Sequence, residues 1–254
     1  MELLYFFEIA DMRGRICEDL DLQLLHMEEF KLFCEEYGVW KEDYTVGVRE
    51  KLSEGLQGCT EASKSYAFSK TLYHLENAKI FMPEEGLSST YAHREEYGEL
   101  VILCGPSGSG KSTFIREHLS EYAVVSLDEL REKINGKRAN QKHRGEILRQ
   151  AKEELKVQLR KKAKVVWDAT NLRRDFRELL TRLGRDYHAM VTLVVFLVPE
   201  ETLFQHNRKR KHQIPEDILL KQIDSYQFPE NAEGDRYMIV DRSGDTVFRD
   251  GFWQ

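Results

Sequence analysis

The sequence predicts an α/β protein with a mostly parallel central sheet flanked by helices, preceded by a small helical segment. Short apolar runs alternate with stretches whose apolar residues recur at helical spacing, and this alternation is typical of parallel sheets. The predicted strands cover residues 99–104, 123–126, 163–168, 190–198 and 237–241. The run 190–198 is apolar on both faces, which favours a central position in the sheet. A glycine-rich loop follows the first strand directly.

That loop, residues 105–113, has the sequence GPSGSGKST and fits the phosphate-binding pattern G-x-x-x-x-G-K-[ST]. Glycines let backbone N–H groups approach phosphate oxygens closely, and the helix that follows aims its positive end at them. We therefore expect a P-loop that binds ATP, or another NTP, with Mg²⁺. Lys111 would neutralise the β and γ phosphates, and Ser112 would bind the metal. The expected nucleotide contacts are Gly105, Ser107, Gly108, Ser109, Gly110, Lys111, Ser112 and Thr113.

Composition excludes several classes of protein. Of the 254 residues, 41% are hydrophobic and 32% are charged, as in ordinary soluble domains. No run of 18 apolar residues could span a membrane, and the N-terminus lacks the basic region of a signal peptide. The four cysteines form no C-x-x-C pair, so neither a zinc site nor a disulfide framework is expected. A cytoplasmic protein fits these observations.

Charge is distributed unevenly along the chain. Residues 1–99 contain 10 Lys+Arg and 21 Asp+Glu, whereas residues 100–254 contain 28 and 23. The basic half is the one that carries the phosphate-binding loop, and it would favour a polyanionic substrate. Uneven charge also occurs in chains that bind no polyanion.

The front of the chain is predicted to be helical and separate from the sheet. Residues 1–38 and 62–82 have helical spacing, residues 39–62 are expected to form a loop, and residues 83–89 form the clearest linker. We therefore expect a helical segment over residues 1–98 and a kinase domain over residues 99–254.

Two carboxylates follow strands on the side of the sheet where ligands bind. Asp128 comes directly after the second strand and could accept a proton from an attacking hydroxyl, with Arg131 one helical turn later to hold a phosphate. Asp128 could equally cap the following helix. Asp168 ends the third strand, as in sites that hold Mg²⁺ or its water, and Asn171 could bond to the same cluster.

A basic segment, residues 206–212 with the sequence HNRKRKH, lies between two predicted helices. It suits a lid that closes an arginine over the nucleotide phosphates. It could also be a solvated helix end, where basic residues complement the helix dipole.

The order of these motifs resembles the 5′-OH polynucleotide kinases, which include the bacteriophage enzyme and bacterial RNA-repair kinases. The resemblance covers about residues 99–241 and rests on the phosphate loop, Ser-Leu-Asp-x-Leu-Arg, Asp-Ala-Thr-Asn-Leu and Asn-Arg-x-Arg. It implies a P-loop kinase fold in which Asp128 is the general base, Arg131 holds the acceptor phosphate and Arg210 is the lid arginine. Where the bacteriophage enzyme has Asp before Thr-Asn-Leu, this chain has Ala169, with its carboxylate one residue earlier at Asp168.

Residues 8–15 are similar to the closing helix of HD-type metal phosphohydrolases, in which Asp11 would be the last metal ligand. Bacterial proteins that fuse such a domain to a polynucleotide kinase have this arrangement. The site also needs an upstream His-Asp pair, and the chain contains no His-Asp dipeptide. We therefore expect Asp11 to do no chemistry.

The combined hypothesis is a kinase that phosphorylates 5′-OH ends of RNA or DNA during end healing and repair, with Lys111, Asp128, Arg131 and Arg210 as its catalytic residues. Two alternatives stay open, a P-loop kinase of a small-molecule hydroxyl and a nucleotide-binding switch without acceptor chemistry. The sequence leaves the preference between RNA and DNA, the donor NTP and the oligomeric state undecided.

Overall fold

The structure, a computed structural model, describes residues 1–16, 18–40, 44–136, 143–210 and 213–253. It divides into two compact units, Met1–Gly55 and Leu56–Gln254. None of its described helices is long and apolar enough to cross a membrane.

The first unit contains the helices α1 (Glu2–Gly14), α2 (Leu20–Glu36) and α3 (Tyr44–Ser53). Its small core joins Tyr5 and Ile9 of α1 to Cys34 of α2 and to Trp40. The loop predicted over residues 39–62 was wrong, because α3 occupies much of it. Val48 and Leu52, one turn apart, are both buried, and this pair was hidden in an otherwise polar, glycine-containing stretch.

The second unit begins with α4 (Glu61–Glu76) and α5 (Glu85–Thr90) and continues as an α/β layer. Its strands are β1 (Glu99–Cys104), β2 (Ala123–Ser126), β3 (Lys164–Asp168), β4 (Met190–Phe196), β5 (Arg236–Val240) and β6 (Thr246–Asp250). Its later α-helices are α6 (Lys111–His118), α7 (Leu127–Asn135), α8 (Arg144–Arg160), α9 (Arg174–Asp186), α10 (Glu200–Lys209) and α11 (Glu216–Asp224).

The strand order β2-β3-β1-β4-β5-β6 confirms the predicted fold class. All neighbouring strands pair in parallel except β6, which pairs antiparallel with β5. Alternate residues of β1 face two cores: Leu100 and Ile102 belong to one, and Val101 and Leu103 to the other. The sheet is therefore covered on both faces, and its carboxyl edge carries the loops that follow β1, β2 and β3.

Two further expectations were wrong. Residues 83–89 do not form an open linker, because α5 packs on α4. A Cβ at Gly86 would lie 1.9 Å from Oγ1 of Thr71, so only glycine permits this close approach. Residues 130–144 are rich in basic side chains, and the sequence predicts an irregular segment there. The stretch begins instead within the regular helix α7, while residues 137–142 lie outside the described part of the chain.

The unit boundary at residues 55 and 56 differs from the expected division at residues 98 and 99. Helix α4 accounts for this difference, because the Tyr66 hydroxyl donates to the His188 carbonyl (3.0 Å) and Lys70 donates to the Ala189 carbonyl (2.7 Å). Both acceptors precede β4, so α4 belongs to the same packed layer as the sheet. Whether residues 1–98 form one functional segment stays a prediction.

Candidate nucleotide and acceptor site

The phosphate-binding loop joins β1 to α6 and is shaped by glycine backbone angles. Gly108 and Gly110 have φ angles of +90° and +97°, which side-chain-bearing residues rarely adopt. A Cβ at Gly108 would also lie 3.1 Å from the Leu203 carbonyl oxygen of α10. The start of the loop is fixed by a bond from the Gly105 N–H to the Thr170 carbonyl, 2.9 Å long. The sequence pattern thus produces the turned-in backbone that oxyanion binding requires.

Lys111 is the point where the charged groups of the site converge. Its half-buried ammonium donates to the carbonyls of Gly105 (2.8 Å) and Pro106 (2.7 Å). The pKa of Lys111 is lowered to about 8, chiefly by burial. The charge of Arg210 acts in the same direction, and the carboxylates of Asp168 and Asp128 oppose the shift. The structure therefore brings groups from the ends of β2 and β3 and from the α10 terminus to the phosphate loop.

Four other residues of this region, Ser107, Ser109, Ser112 and Thr113, were predicted to contact the nucleotide. The buried Ser109 hydroxyl accepts a third bond from Lys111 at 3.2 Å. Ser112 and Thr113 are exposed in the first turn of α6, and the Ser107 N–H donates to Gln222 of α11 at 2.9 Å. Their contacts with a nucleotide stay a prediction.

Ser126, rather than Asp128, caps helix α7. Its hydroxyl oxygen accepts from the Glu129 N–H at 3.4 Å and donates to Oδ2 of Asp168 at 3.2 Å. The capping alternative for Asp128 is therefore wrong, and its carboxylate is half exposed and paired with the Arg131 guanidinium. The Asp128–Arg131 pair stands at the carboxyl end of β2, beside the phosphate loop.

Asp168 and Asn171 play different parts at the end of β3. Burial raises the pKa of the Asp168 carboxyl, while the Lys111 ammonium opposes that shift. Asn171 is buried with φ +48°, and its amide donates to the Leu103 carbonyl at 2.7 Å. Asn171 thus joins the ends of β3 and β1, and its expected bond to the nucleotide cluster stays a prediction.

Arg210 follows α10 and carries an unusual buried donor. Its Nη1 atom is shielded from solvent and has no hydrogen-bond partner among the described residues. Because Arg210 also lowers the pKa of Lys111, two cations face one region, as in a site built for an anion. Lys211 and His212 of the predicted basic segment lie outside the described residues.

Three residues with roles in this arrangement were missed by sequence reasoning. Asn207 holds Ile214 by two bonds, from Nδ2 to the carbonyl (2.7 Å) and from the Ile214 N–H to Oδ1 (3.0 Å). Gln222 contacts the loop, and Ser126 links α7 to Asp168. Only Ser126 had a recognisable signal, since Ser-x-x-Glu at 126–129 is a capping-box pattern.

Asp11, the candidate metal ligand, belongs to the first compact unit. It pairs with Arg15, which directly follows α1. No cluster of three or more His, Cys, Asp or Glu side chains within the described ranges could hold a metal ion. Basic side chains also follow Arg131 in the sequence and favour a polyanionic substrate, but three of them, Lys137, Arg138 and Lys142, lie outside the described part.

The residues of the site fall within a part of the chain that matches a known protein family. A family model described as "AAA domain" matches residues 100–229, slightly more than half of the chain. No curated protein matches the chain. An unliganded sugar kinase from Janibacter sp. HTCC2649 is 20% identical with a TM-score of 0.45, and the match covers 57% of this chain and 86% of that one.

Two further solved structures are similar in the same limited way. A chain of the Pnkp1/Rnl/Hen1 RNA repair complex is 24% identical with a TM-score of 0.47, and the match covers 51% of this chain and 44% of that one. The Mycobacterium tuberculosis APS kinase CysC, in complex with AMPPNP and APS, is 20% identical with a TM-score of 0.42, over 57% and 89% of the two chains.

Proposed function

This chain belongs to the AAA domain family, and from that premise we propose that it transfers the γ-phosphoryl group of ATP, or another NTP, to the 5′-hydroxyl end of RNA or DNA. The proposal has a donor half, which concerns the phosphate loop and Arg210, and an acceptor half, which concerns Asp128 and Arg131. Its biological setting would be the healing of broken nucleic-acid ends.

The donor half is supported by the charges and free donors around the loop. The Nη1 atom of Arg210, which has no hydrogen-bond partner among the described residues, and the ammonium of Lys111 suit the binding of an anion at the loop. The exposed hydroxyl of Ser112 and the carboxylate of Asp168 are oxygen ligands of the kind that Mg²⁺ prefers. When bound, Mg²⁺ would neutralise charge on the donor phosphates.

The acceptor half rests on one observation above the others. Because Ser126 caps α7, the Asp128 carboxylate is not used as the helix cap, and it lies close enough to Lys111 to oppose the lowering of the lysine pKa. Arg131 lies one turn later and is held beside that carboxylate. A hydroxyl that reaches Asp128 would thus stand near the donor phosphates, and a phosphate attached to the same acceptor could reach Arg131.

The proposed reaction follows from these positions. The 5′-oxygen attacks the γ-phosphorus, its proton passes to Asp128, and the bond from the γ-phosphorus to the bridging oxygen breaks to release ADP. Lys111 and Arg210 stabilise the charge that spreads over the transferring oxygens. Positioning and electrostatics supply most of the rate in such reactions.

The test compares two substitutions on two acceptors, a nucleoside 3′-monophosphate and the bare nucleoside. Asp128→Asn should leave the affinities for ATP and acceptor nearly intact but lower kcat by about 10²-fold or more, because the base is lost. Arg131→Ala should chiefly raise the KM for the 3′-monophosphate and matter little for the bare nucleoside. The exposed neighbour Glu129 provides the matched control, and Glu129→Gln should behave as wild type.

Other outcomes would identify the alternatives. Equal penalties of Arg131→Ala on the two acceptors would remove Arg131 from the acceptor site. A small-molecule kinase would phosphorylate no oligonucleotide, and a switch would bind nucleotide without any transfer.

The proposal has one further part, which concerns residues 1–98. These residues would be a remnant of an HD-type domain and would hold no metal. Hydrolysis of a 2′,3′-cyclic phosphate by this chain, lost in Asp11→Ala, would contradict it.

A further inference from the structure

Helix α11 contacts the phosphate loop through the side chain of Gln222. Oε1 of Gln222 lies 2.9 Å from the Ser107 nitrogen, although the two residues are 115 positions apart in the chain. Leu219, one turn earlier on α11, is fully buried and anchors the helix. After the helix, the Tyr226 hydroxyl lies 3.4 Å from the Cys104 carbonyl, directly before the loop. The position of Gln222 is therefore fixed on both sides of its helical turn.

The chemistry of this contact determines how the Gln222 carboxamide is oriented. A backbone N–H only donates, so the oxygen of the carboxamide must face Ser107 and the amino group must face away from it. That amino group makes no hydrogen bond to any residue in the described ranges. Gln222 thus presents two N–H donors, held beside the phosphate loop by the bond that its own oxygen accepts.

We propose that Gln222 is a catalytic residue that donates to the γ-phosphoryl group of the bound nucleotide. This inference rests on the donor half of the proposed function and does not depend on the identity of the acceptor. The charge of a transferring phosphoryl group is spread over three equatorial oxygens, and fixed donors aimed at them lower the barrier. Lys111 and Arg210 supply charge, whereas Gln222 supplies a neutral donor whose direction is set by Ser107.

Two substitutions separate donation to the nucleotide from support of the loop. Gln222→Met keeps the length of the side chain but removes both the acceptor and the donors. Gln222→Glu keeps an acceptor for the Ser107 N–H but cannot donate when ionised. Because Gln222→Glu also adds a negative charge beside the phosphates, Gln222→Met carries the distinction. If Gln222 only supported the loop, Gln222→Met would lower the affinities for ADP and for an ATP analogue equally. A matched control is Gln150→Met on α8, where the glutamine bonds only to Glu154 among the described residues.

The first measurement compares affinities for ADP and for a non-hydrolysable ATP analogue. In Gln222→Met, ADP affinity should stay within about twofold, while affinity for the ATP analogue should fall about three- to tenfold, because only the latter has a γ-phosphoryl group. The second is the transfer rate at saturating ATP, which should fall about tenfold or more in both Gln222 variants. Gln150→Met should change neither quantity.

Either of two results would overturn the proposal. One is a wild-type transfer rate in Gln222→Glu, and the other is an equal loss of ADP and ATP-analogue affinity in Gln222→Met. If the wild-type protein phosphorylated no 5′-hydroxyl, the acceptor half of the proposed function would fail, while the two affinities would still decide the role of Gln222.

Discussion

Substitution of Asn207 by alanine should loosen the segment that carries Arg210. Asn207 is the side chain that ties the end of α10 to Ile214, across the position of Arg210. It is only 3% exposed, and its two bonds to the Ile214 backbone measure 2.7 and 3.0 Å. Both polar groups of one side chain are therefore used to hold a residue seven positions later. Alanine at position 207 removes both bonds and leaves a backbone N–H and a carbonyl without their partners.

The size of the effect follows from these two bonds. Each contributes about 1 kcal/mol, and Ile214 is only half-buried, so water can replace part of what is lost. A total near 2 kcal/mol lowers the population of the ordered segment relative to its loosened forms by roughly 30-fold. If Arg210 acts only when this segment is ordered, the transfer rate at saturating ATP should fall by up to that factor.

The assay is the transfer rate of Asn207→Ala beside that of Gln213→Ala. Gln213 also bonds within the segment, through its amide to the Arg208 carbonyl at 2.8 Å, but it is exposed. Its loss should therefore cost less than about threefold in rate. A wild-type rate in Asn207→Ala, with thermal denaturation confirming a folded protein, would refute the idea that Asn207 positions Arg210.

Three further predictions concern the loop and its neighbours. Lys111→Ala should lower transfer by at least about 10²-fold with little change in the unfolding temperature, and a rate within tenfold of wild type would contradict its role. Without bound nucleotide, the pKa of Lys111 is about 8, so ATP affinity should fall as the pH rises through that value and the ammonium loses its charge. The transfer rate at saturating ATP should persist to higher pH, because bound phosphates favour the charged ammonium. Titration calorimetry across pH 7–9 measures the change in ATP affinity. Ser126→Ala removes a helix cap and a bond to Asp168, so denaturant unfolding should show a loss of about 1–2 kcal/mol.

The fold could be predicted where the signal is local. The parallel strands are short apolar runs, and burial on both faces requires that composition. Strand β6 gave no such signal, because its residues are mostly exposed and it forms only by pairing with β5. Helices α3 and α5 were missed because glycines and polar residues outnumber the few buried positions that hold them in place.

The site could be predicted where one contiguous pattern defines it or where strand ends converge. The phosphate loop is a single pattern, and the rule that parallel strands end at one edge placed Asp128 and Asp168 near it. The contact of Gln222 with Ser107 could not be predicted, because it depends on how α11 packs after a long connection. The bonds of Asn207 to Ile214 were also hidden, since the sequence does not show which loop residue an amide will hold.

Contacts at the amino ends of the strands explain why the second compact unit, Leu56–Gln254, begins well before β1. Lys70 of α4 is 6% exposed and lies 2.5 Å from the Asp235 carboxylate, which also accepts from the Val191 N–H at 2.7 Å. Burial lowers the pKa of Lys70 and Asp235 opposes the shift, so each charge of the pair depends on the other. Lys70→Met should leave the Asp235 carboxylate with Arg185, 3.6 Å away, as its remaining salt-bridge partner among the described residues, and lower the free energy of unfolding by roughly 3 kcal/mol. Since this pair lies at the amino ends of β4 and β5, away from the phosphate loop, ATP affinity should not change. Denaturant unfolding beside ATP titration would measure both quantities, and a variant as stable as wild type would show that α4 is not held to the sheet by this pair.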